Sequence, residues 1–158
     1  MNTKRILTIQ DISCVGQCSL TVALPILSAC GVETVILPSA VLSTHTGGFT
    51  GFTFRDLTDD IPAIAAHWQK EGIAFDGIYT GYLGSARQID MVKELFRTVC
   101  KESAVKIVDP AMADHGKLYA GFDNAVDEDM IDCYIYEINA LLKRYKHLTE
   151  LSAKEIVT

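Results

Sequence analysis

The sequence predicts an α/β protein built on a mainly parallel sheet with helices on both faces. Three observations predict it. Short apolar runs of strand length alternate with longer stretches of helical length. The runs end in turns that carry glycine, proline or polar residues. One intervening stretch, Ala86 to Lys101, has a clear amphipathic period. Such alternation is the pattern of a parallel sheet, because a strand returns parallel to its predecessor only through a crossover, which a helix fills.

The first apolar run, Arg5 to Ile9, reads as a buried strand ending at Gln10-Asp11. After Gly16, Cys18 to Cys30 is long enough for a helix, with Pro25 as an expected kink and Gly31 as its stop. Val32 to Leu37 is the second strand, followed by Pro38. Ser43 to Arg55 follows neither period and holds Gly47, Gly48 and Gly51 within five residues, so it reads as a flexible loop. Long loops of this kind are commonly lids or binding loops. Ile61 to Glu71 is a helix with Pro62 in its first turn and Gly72 just past its end. Gly77 to Tyr82 is the third strand. The helix Ala86 to Lys101 places Ile89, Val92, Leu95, Phe96 and Val99 on one face. Val105 to Val108 is the fourth strand and runs into Asp109-Pro110. From Asp127 the pattern is helical, with Ile131, Ile135, Ile138, Leu142 and Tyr145 as a buried stripe. Ser152 and Glu155 match a capping box, but the β-branched ending favours a strand from Glu155 to Thr158.

With 158 residues the chain is one domain, large enough to bury a core. Its 49% hydrophobic and 22% charged residues are ordinary for a soluble globular protein. No run approaches ~18 uninterrupted apolar residues, which speaks against a membrane span. The first apolar run breaks at Gln10-Asp11, so the N-terminus does not read as a signal peptide. A net charge of -6 offers no general attraction to nucleic acid or anionic membranes. Cys14, Cys18, Cys30, Cys100 and Cys133 form an odd set without a CxxC pair. Cys14 and Cys18 with His45 lack the second close pair of a tetrahedral zinc site, so free thiols in a reducing cytoplasm are expected.

Ligands of parallel sheets bind beyond the C-terminal ends of the strands. Four segments fall there: Gln10 to Gly16, Ser43 to Gly48, Thr80 to Ser85 and Asp109 to Asp114. Tyr82, with Ser43, His45 and Thr46, offers a flat aromatic face and hydroxyl or imidazole groups, a set that suits a small heteroaromatic ligand. The competing reading makes Tyr82 a core residue and His45 a solvent-facing one. Asp109 and Asp114, with Lys117 close behind, can hold Mg²⁺ through water opposite a polyphosphate, or can simply be a turn aspartate and a surface aspartate. Ser13, Cys14 and Gly16 precede a helix whose N–H groups can receive an anion. The sequence contains neither GxxxxGK[ST] nor GxGxxG, which excludes a P-loop and leaves a dinucleotide fold without support.

Several stretches together resemble the pyridoxal kinase family. They are Ile9-Gln10 with Val15-Gly16, Val41-Leu42-Ser43-Thr44-His45-Thr46, and Thr80-Gly81-Tyr82-Leu83-Gly84-Ser85. Val108-Asp109-Pro110-Ala111-Met112-Ala113-Asp114 and Gly116-Lys117-Leu118-Tyr119 complete the set, over about residues 4 to 123. The resemblance implies a three-layer ribokinase-like fold and ATP-dependent phosphorylation, with Mg²⁺, of the 5′-hydroxymethyl group of pyridoxal, pyridoxine or pyridoxamine. It implies Thr46 and Tyr82 against the pyridine ring and Ser43 and His45 shaping the pocket. Asp11 stands where many members carry a ring-bonding serine, a departure that bears on substrate preference. By the same resemblance Asp109 lies near the Mg²⁺ and phosphates, Asp114 belongs to the nucleotide side, and the loop from Gly47 to Phe54 closes over the substrate to exclude water.

The departures imply as much. The family's Pro-Asn-x-x-Glu segment is not present in Cys133 to Asn139. No glycine follows Gly121, so the Gly-x-Gly-Asp loop that supplies the family's catalytic base and anion hole is not in this chain. The expectation is therefore a ribokinase-like chain truncated at its C-terminal side, with an internal gap between Asp123 and Asp127, that carries no catalytic residue of its own. The alternatives are a non-catalytic B6-vitamer binding module, one part of a split kinase, or a hydroxymethylpyrimidine kinase of the same fold. The Ser-x-His-Thr loop argues against the last. Related kinases commonly dimerise, which leaves a homodimer open.

Overall fold

Leu7 and Ile9, both fully buried, sit in the central strand of a five-stranded sheet. The computed structural model describes residues 3–109 and 111, and the backbone of 113–114 and 117–118. The elements run β1 (Arg5–Ser13), α1 (Leu20–Ala29), β2 (Glu33–Leu42), β3 (Phe54–Asp56), α2 (Ile61–Lys70), β4 (Phe75–Thr80), α3 (Ala86–Thr98) and β5 (Cys100–Val108). A small hairpin, β6 (Ala113–Asp114) and β7 (Lys117–Leu118), follows. The helix expected from Asp127, the capping box, the final strand, the gap after Asp123 and Cys133 lie outside the described residues.

The sheet order is β3-β2-β1-β4-β5. β2, β1, β4 and β5 are mutually parallel, and β3 is an antiparallel edge. The chain steps from β1 to β2 in one direction, then back past β1 to β4 and β5. With right-handed crossovers this reversal puts α1 on one face and α2 and α3 on the other. Packing agrees. Leu7, Ile9, Leu37 and Ile78 form one core with Ile61 of α2 and Ile89, Val92, Leu95 and Phe96 of α3, and no residue of α1 joins it. Trp68 of α2 meets Phe75 edge-on, with ring centroids 5.3 Å apart. α1 instead buries Leu20 and Ala23 and packs on β1 and β2.

Several boundaries differ from the sequence-based expectation, each for a tertiary reason. β1 runs on to Ser13 rather than stopping at Ile9, because Ile12 and Ser13 pair with Val41 and Leu42. β2 passes through Pro38, since at that position only β1 flanks it. β3 reaches only Ala40 to Leu42, and proline is tolerated where a strand lacks a second neighbour. The register there advances two residues on β1 and three on β2, a bulge that re-aims both strand ends. β3 takes Phe54 and Arg55 from the end of the segment expected to be loop. β4 begins at Phe75, and β5 begins at Cys100, so α3 ends at Thr98 rather than Lys101. The chain must already be extended at Cys100 to pair with Phe75. Pro25 lies within α1, as expected. No helix among the described residues is long and apolar enough to cross a membrane.

Candidate functional site

β1 and β4 are neighbours whose following helices lie on opposite faces of the sheet. Their C-terminal ends therefore diverge and leave a crevice, the place where doubly wound sheets bind ligands. An open cavity of about 830 Å³ lies there. Gln10, Asp11 and Ser13 reach it from β1, Gly81 and Tyr82 from the segment after β4, and Asp109 and Ala111 from beyond β5. The loop after β2 adds His45, Thr46, Phe49 and Phe52. Of the residues expected at a site, Asp11, His45, Thr46, Tyr82 and Asp109 thus meet around one cavity. Asp114 is described only in its backbone, in β6, where it pairs with Lys117.

Ser43 behaves differently from expectation and does not line the cavity. Its hydroxyl accepts the Thr53 N–H at 2.9 Å, while its own N–H donates to the Thr53 carbonyl at 3.1 Å. It closes the base of the loop, so its effect on the pocket passes through loop geometry. The other flank of the loop is held by Val15: the His45 N–H donates to the Val15 carbonyl at 3.0 Å, and the Val15 N–H to the Ser43 carbonyl at 3.2 Å.

His45 is oriented on three sides. Its Nδ1 accepts the Gly47 N–H at 3.1 Å, so the neutral ring keeps its proton on Nε2. Phe49 meets the ring edge-on at 5.0 Å. Gly16 lies so close that a Cβ there would collide with His45 Cδ2, and its φ of 114° already demands glycine. Gly81 has the same role against Gln10, whose amide oxygen would lie 2.7 Å from an added Cβ. Gln10 in turn donates to Thr8 at 2.9 Å.

Asp11 is 5% exposed, and the Ser13 hydroxyl donates to its Oδ2 at 3.0 Å. Burial raises the Tyr82 phenol above its ordinary value, and the Asp11 and Asp56 carboxylates raise it further. Tyr82 therefore stays a neutral phenol at physiological pH. Desolvation raises the Asp109 carboxyl, and no ion pair among the described residues offsets it. Among the described residues no Lys or Arg lines the cavity, and no group of three or more His, Cys, Asp or Glu is placed to hold a metal.

A buried clasp with no counterpart in the sequence-based expectations supports the rim. Gln88 of α3 is 1% exposed. Its Nε2 donates to the Ser39 carbonyl at 3.1 Å and to the Thr58 hydroxyl at 2.8 Å, and its Oε1 accepts the Gly84 N–H at 2.8 Å. The Ser39 hydroxyl donates to the Tyr82 carbonyl at 3.1 Å. Thr58 donates twice to Asp56, whose carboxyl is lowered chiefly by the Thr58 hydroxyl. One amide thus ties β2, the turn before α2 and the Tyr82 segment together. A glutamine in the first turn of an amphipathic helix gives no signal of this in sequence. Phe49 and Phe52, also absent from those expectations, do have a signal: aromatic residues recur through the glycine-rich loop.

No protein-family model and no curated protein matches the chain. Solved structures do. A Bacteroides thetaiotaomicron protein described as a candidate phosphomethylpyrimidine kinase, crystallised with pyridoxal, superposes with a TM-score of 0.81 at 42% identity. The match covers 85% of this chain and 46% of that one. Pyridoxal kinase from Lactobacillus plantarum gives a TM-score of 0.76 at 33% identity, over 83% of this chain and 46% of its own. The chain has the ribokinase-like fold. Its resemblance is to pyridoxal kinases, as the rim segments imply. Entamoeba histolytica pyridoxal kinase, at 21% identity and a TM-score of 0.71, shares the fold, matching over 85% of this chain and 49% of its own. This ribokinase-like chain spans about half the length of these neighbours.

Proposed function

We propose that the chain is the vitamer-binding portion of a pyridoxal kinase-type phosphotransferase. The observation that carries this reading is the convergence of Asp11, His45, Thr46, Tyr82 and Asp109 on one cavity at the β1/β4 divergence. The Bacteroides neighbour crystallised with pyridoxal supports the choice of ligand. Tyr82 supplies an aromatic wall and a neutral phenol. His45 Nε2–H and the Thr46 hydroxyl supply donors for the polar edge of a pyridine ring. Phe49 and Phe52 line the cavity from the loop, which is clamped at its base by Ser43 and Thr53 and so can cover a ligand as a unit.

Nucleotide use follows from the same reading. A cavity edged by Asp11 and Asp109 repels polyphosphate unless a cation intervenes. Asp109 fits such a cation: its carboxyl is partly desolvated and unpaired among the described residues. One carboxylate suffices for Mg²⁺, which keeps several waters and takes its other ligands from phosphate oxygens. Mg²⁺ bound there would neutralise the phosphates of ATP. No general base is assigned in this chain, and by itself the chain is proposed to bind the vitamer without transferring phosphate.

The test is titration of the full chain with pyridoxal, beside an assay of ATP-dependent pyridoxal phosphorylation. Binding without transfer is the expected result. Absence of binding would overturn the vitamer reading, and robust transfer would overturn the non-catalytic part of it. The name of the Bacteroides neighbour favours a second reading, a hydroxymethylpyrimidine as ligand, which binds in preference to pyridoxal if that reading is right.

A further inference from the structure

We infer that Asp11 is a specificity-determining residue that makes this pocket prefer a heteroaromatic ligand bearing a cationic N–H donor, which among the B6 vitamers favours pyridoxamine. The inference rests on the vitamer reading above and names the ligand class it leaves open. A carboxylate taken out of water without a partner is costly, and folded proteins seldom keep one unless something compensates it. Asp11 is 5% exposed and lines the cavity. An ionised carboxylate has room for about four hydrogen bonds, yet among the described residues the Ser13 hydroxyl is its one side-chain donor, on Oδ2. The charged or titratable groups that share the cavity include His45, Asp109 and the two phenols Tyr79 and Tyr82, and none is a Lys or Arg.

With no Lys or Arg among the described lining residues, a cation that enters the cavity is the counter-charge the proposal assigns to Asp11. The side chain hangs from a strand residue inside the β1–β2 bulge, and the Ser13 hydroxyl holds its Oδ2. Gly81 lets the segment after β4 approach Gln10, the residue before Asp11, closely. A ring edge without a donor would leave the carboxylate with the Ser13 hydroxyl as its one side-chain donor among the described residues. A protonated amine or ring N–H⁺ would form a charge-assisted hydrogen bond with it, roughly twice as strong as a neutral one.

The experiment is a binding titration of the full chain with pyridoxamine, pyridoxal, pyridoxine and 4-amino-5-hydroxymethyl-2-methylpyrimidine. It is run on the parent and on Asp11→Asn, which keeps the shape and an acceptor for Ser13, and on Asp11→Ser, with Tm measured for each. If Asp11 faces an exocyclic substituent, pyridoxamine binds the parent about tenfold or more tighter than pyridoxine, and Asp11→Asn removes the difference. If all vitamers weaken together by about that factor in Asp11→Asn, Asp11 pairs with the ring N–H⁺ and the preference for pyridoxamine is overturned. Unchanged affinities in both folded variants would overturn the inference. Binding of the aminopyrimidine alone, weakened in Asp11→Asn, would overturn the vitamer reading and the selection of a cation, and leave Asp11 as the acceptor of a neutral N–H donor.

Discussion

The two ends of the sheet treat their polar groups in opposite ways. At the N-terminal end Asp76 accepts the Arg5 N–H and the ammonium groups of Lys4 and Lys101, each at 3.0 Å. These contacts, the Arg5 N–H first, hold its carboxyl well below the usual carboxylate range. At the C-terminal end Asp109 is raised by desolvation, and Asp11 has a single hydroxyl partner among the described side chains. Among the described residues the hydroxyls of Thr44 and Thr80 are buried there without a hydrogen-bond partner, whereas Arg5 Nε at the other end, also without a hydrogen bond, has the Glu33 carboxylate 3.0 Å away. Buried polar groups are nearly always satisfied in folded proteins, and exceptions call for a cause. At one end the carboxylate has charged partners, and at the other Asp11 and Asp109 border the cavity without a Lys or Arg among the described residues.

The largest expected effect comes from removing what holds the cavity end in place. Gln88→Leu leaves the Gly84 N–H, the Ser39 carbonyl and the Thr58 hydroxyl without their partner. It should cost about 3 kcal/mol, a Tm drop of roughly 10 °C in a scan of the full chain. A Tm change below a degree or two would show that the clasp is dispensable. Next comes Gly16→Ala, which strains the backbone and drives into His45. It should cost about 2 kcal/mol and weaken pyridoxal binding as His45 is displaced. Gly31→Ala is its control, with φ of 81° but open space around it. That variant should lose stability and keep its affinity, and equal loss of affinity in both would remove His45 from the pocket's account.

The two aspartates sharpen the contrast through pH. Asp76 has a depressed folded-state value, so its contribution is present above the ordinary value of 3.8 and lost as pH falls through the folded value. Asp76→Asn should therefore lower Tm at pH 7 and narrow the gap to the parent as pH drops below 3.8. Asp109 has a raised value, so its ionisation costs stability as pH rises above the ordinary value of 3.8, in full once pH exceeds the folded value. Asp109→Asn should raise Tm slightly at pH 7, change it little at pH 3, and abolish any Mg²⁺-dependent rise in Tm. A fall in Tm at pH 7 would mean that the carboxylate has a structural partner.

Much of the architecture is legible in the order of the residues alone. Alternating apolar runs and helical stretches determined the α/β class, and the amphipathic stripe Ile89, Val92, Leu95 and Phe96 determined which face of α3 is buried. The polar segments closing each strand marked the rim, because strand ends in a parallel sheet all point one way. Local sequence could not show that Arg5 to Ser13 stays extended past Asp11, since that depends on pairing with Val41 and Leu42, far along the chain. Nor could it separate Ser43, which clamps a loop, from His45 and Thr46, which line a cavity, although the three lie within four residues. Side-chain direction and burial are set by partners distant in sequence. For the same reason Gln88 reads as an ordinary helix residue until Ser39, Thr58 and Gly84 are brought around it. The sequence by itself determined which residues stand at the rim. Only the tertiary structure decided which of them face the cavity and which hold it open, because that choice rests on long-range contacts that no local pattern encodes.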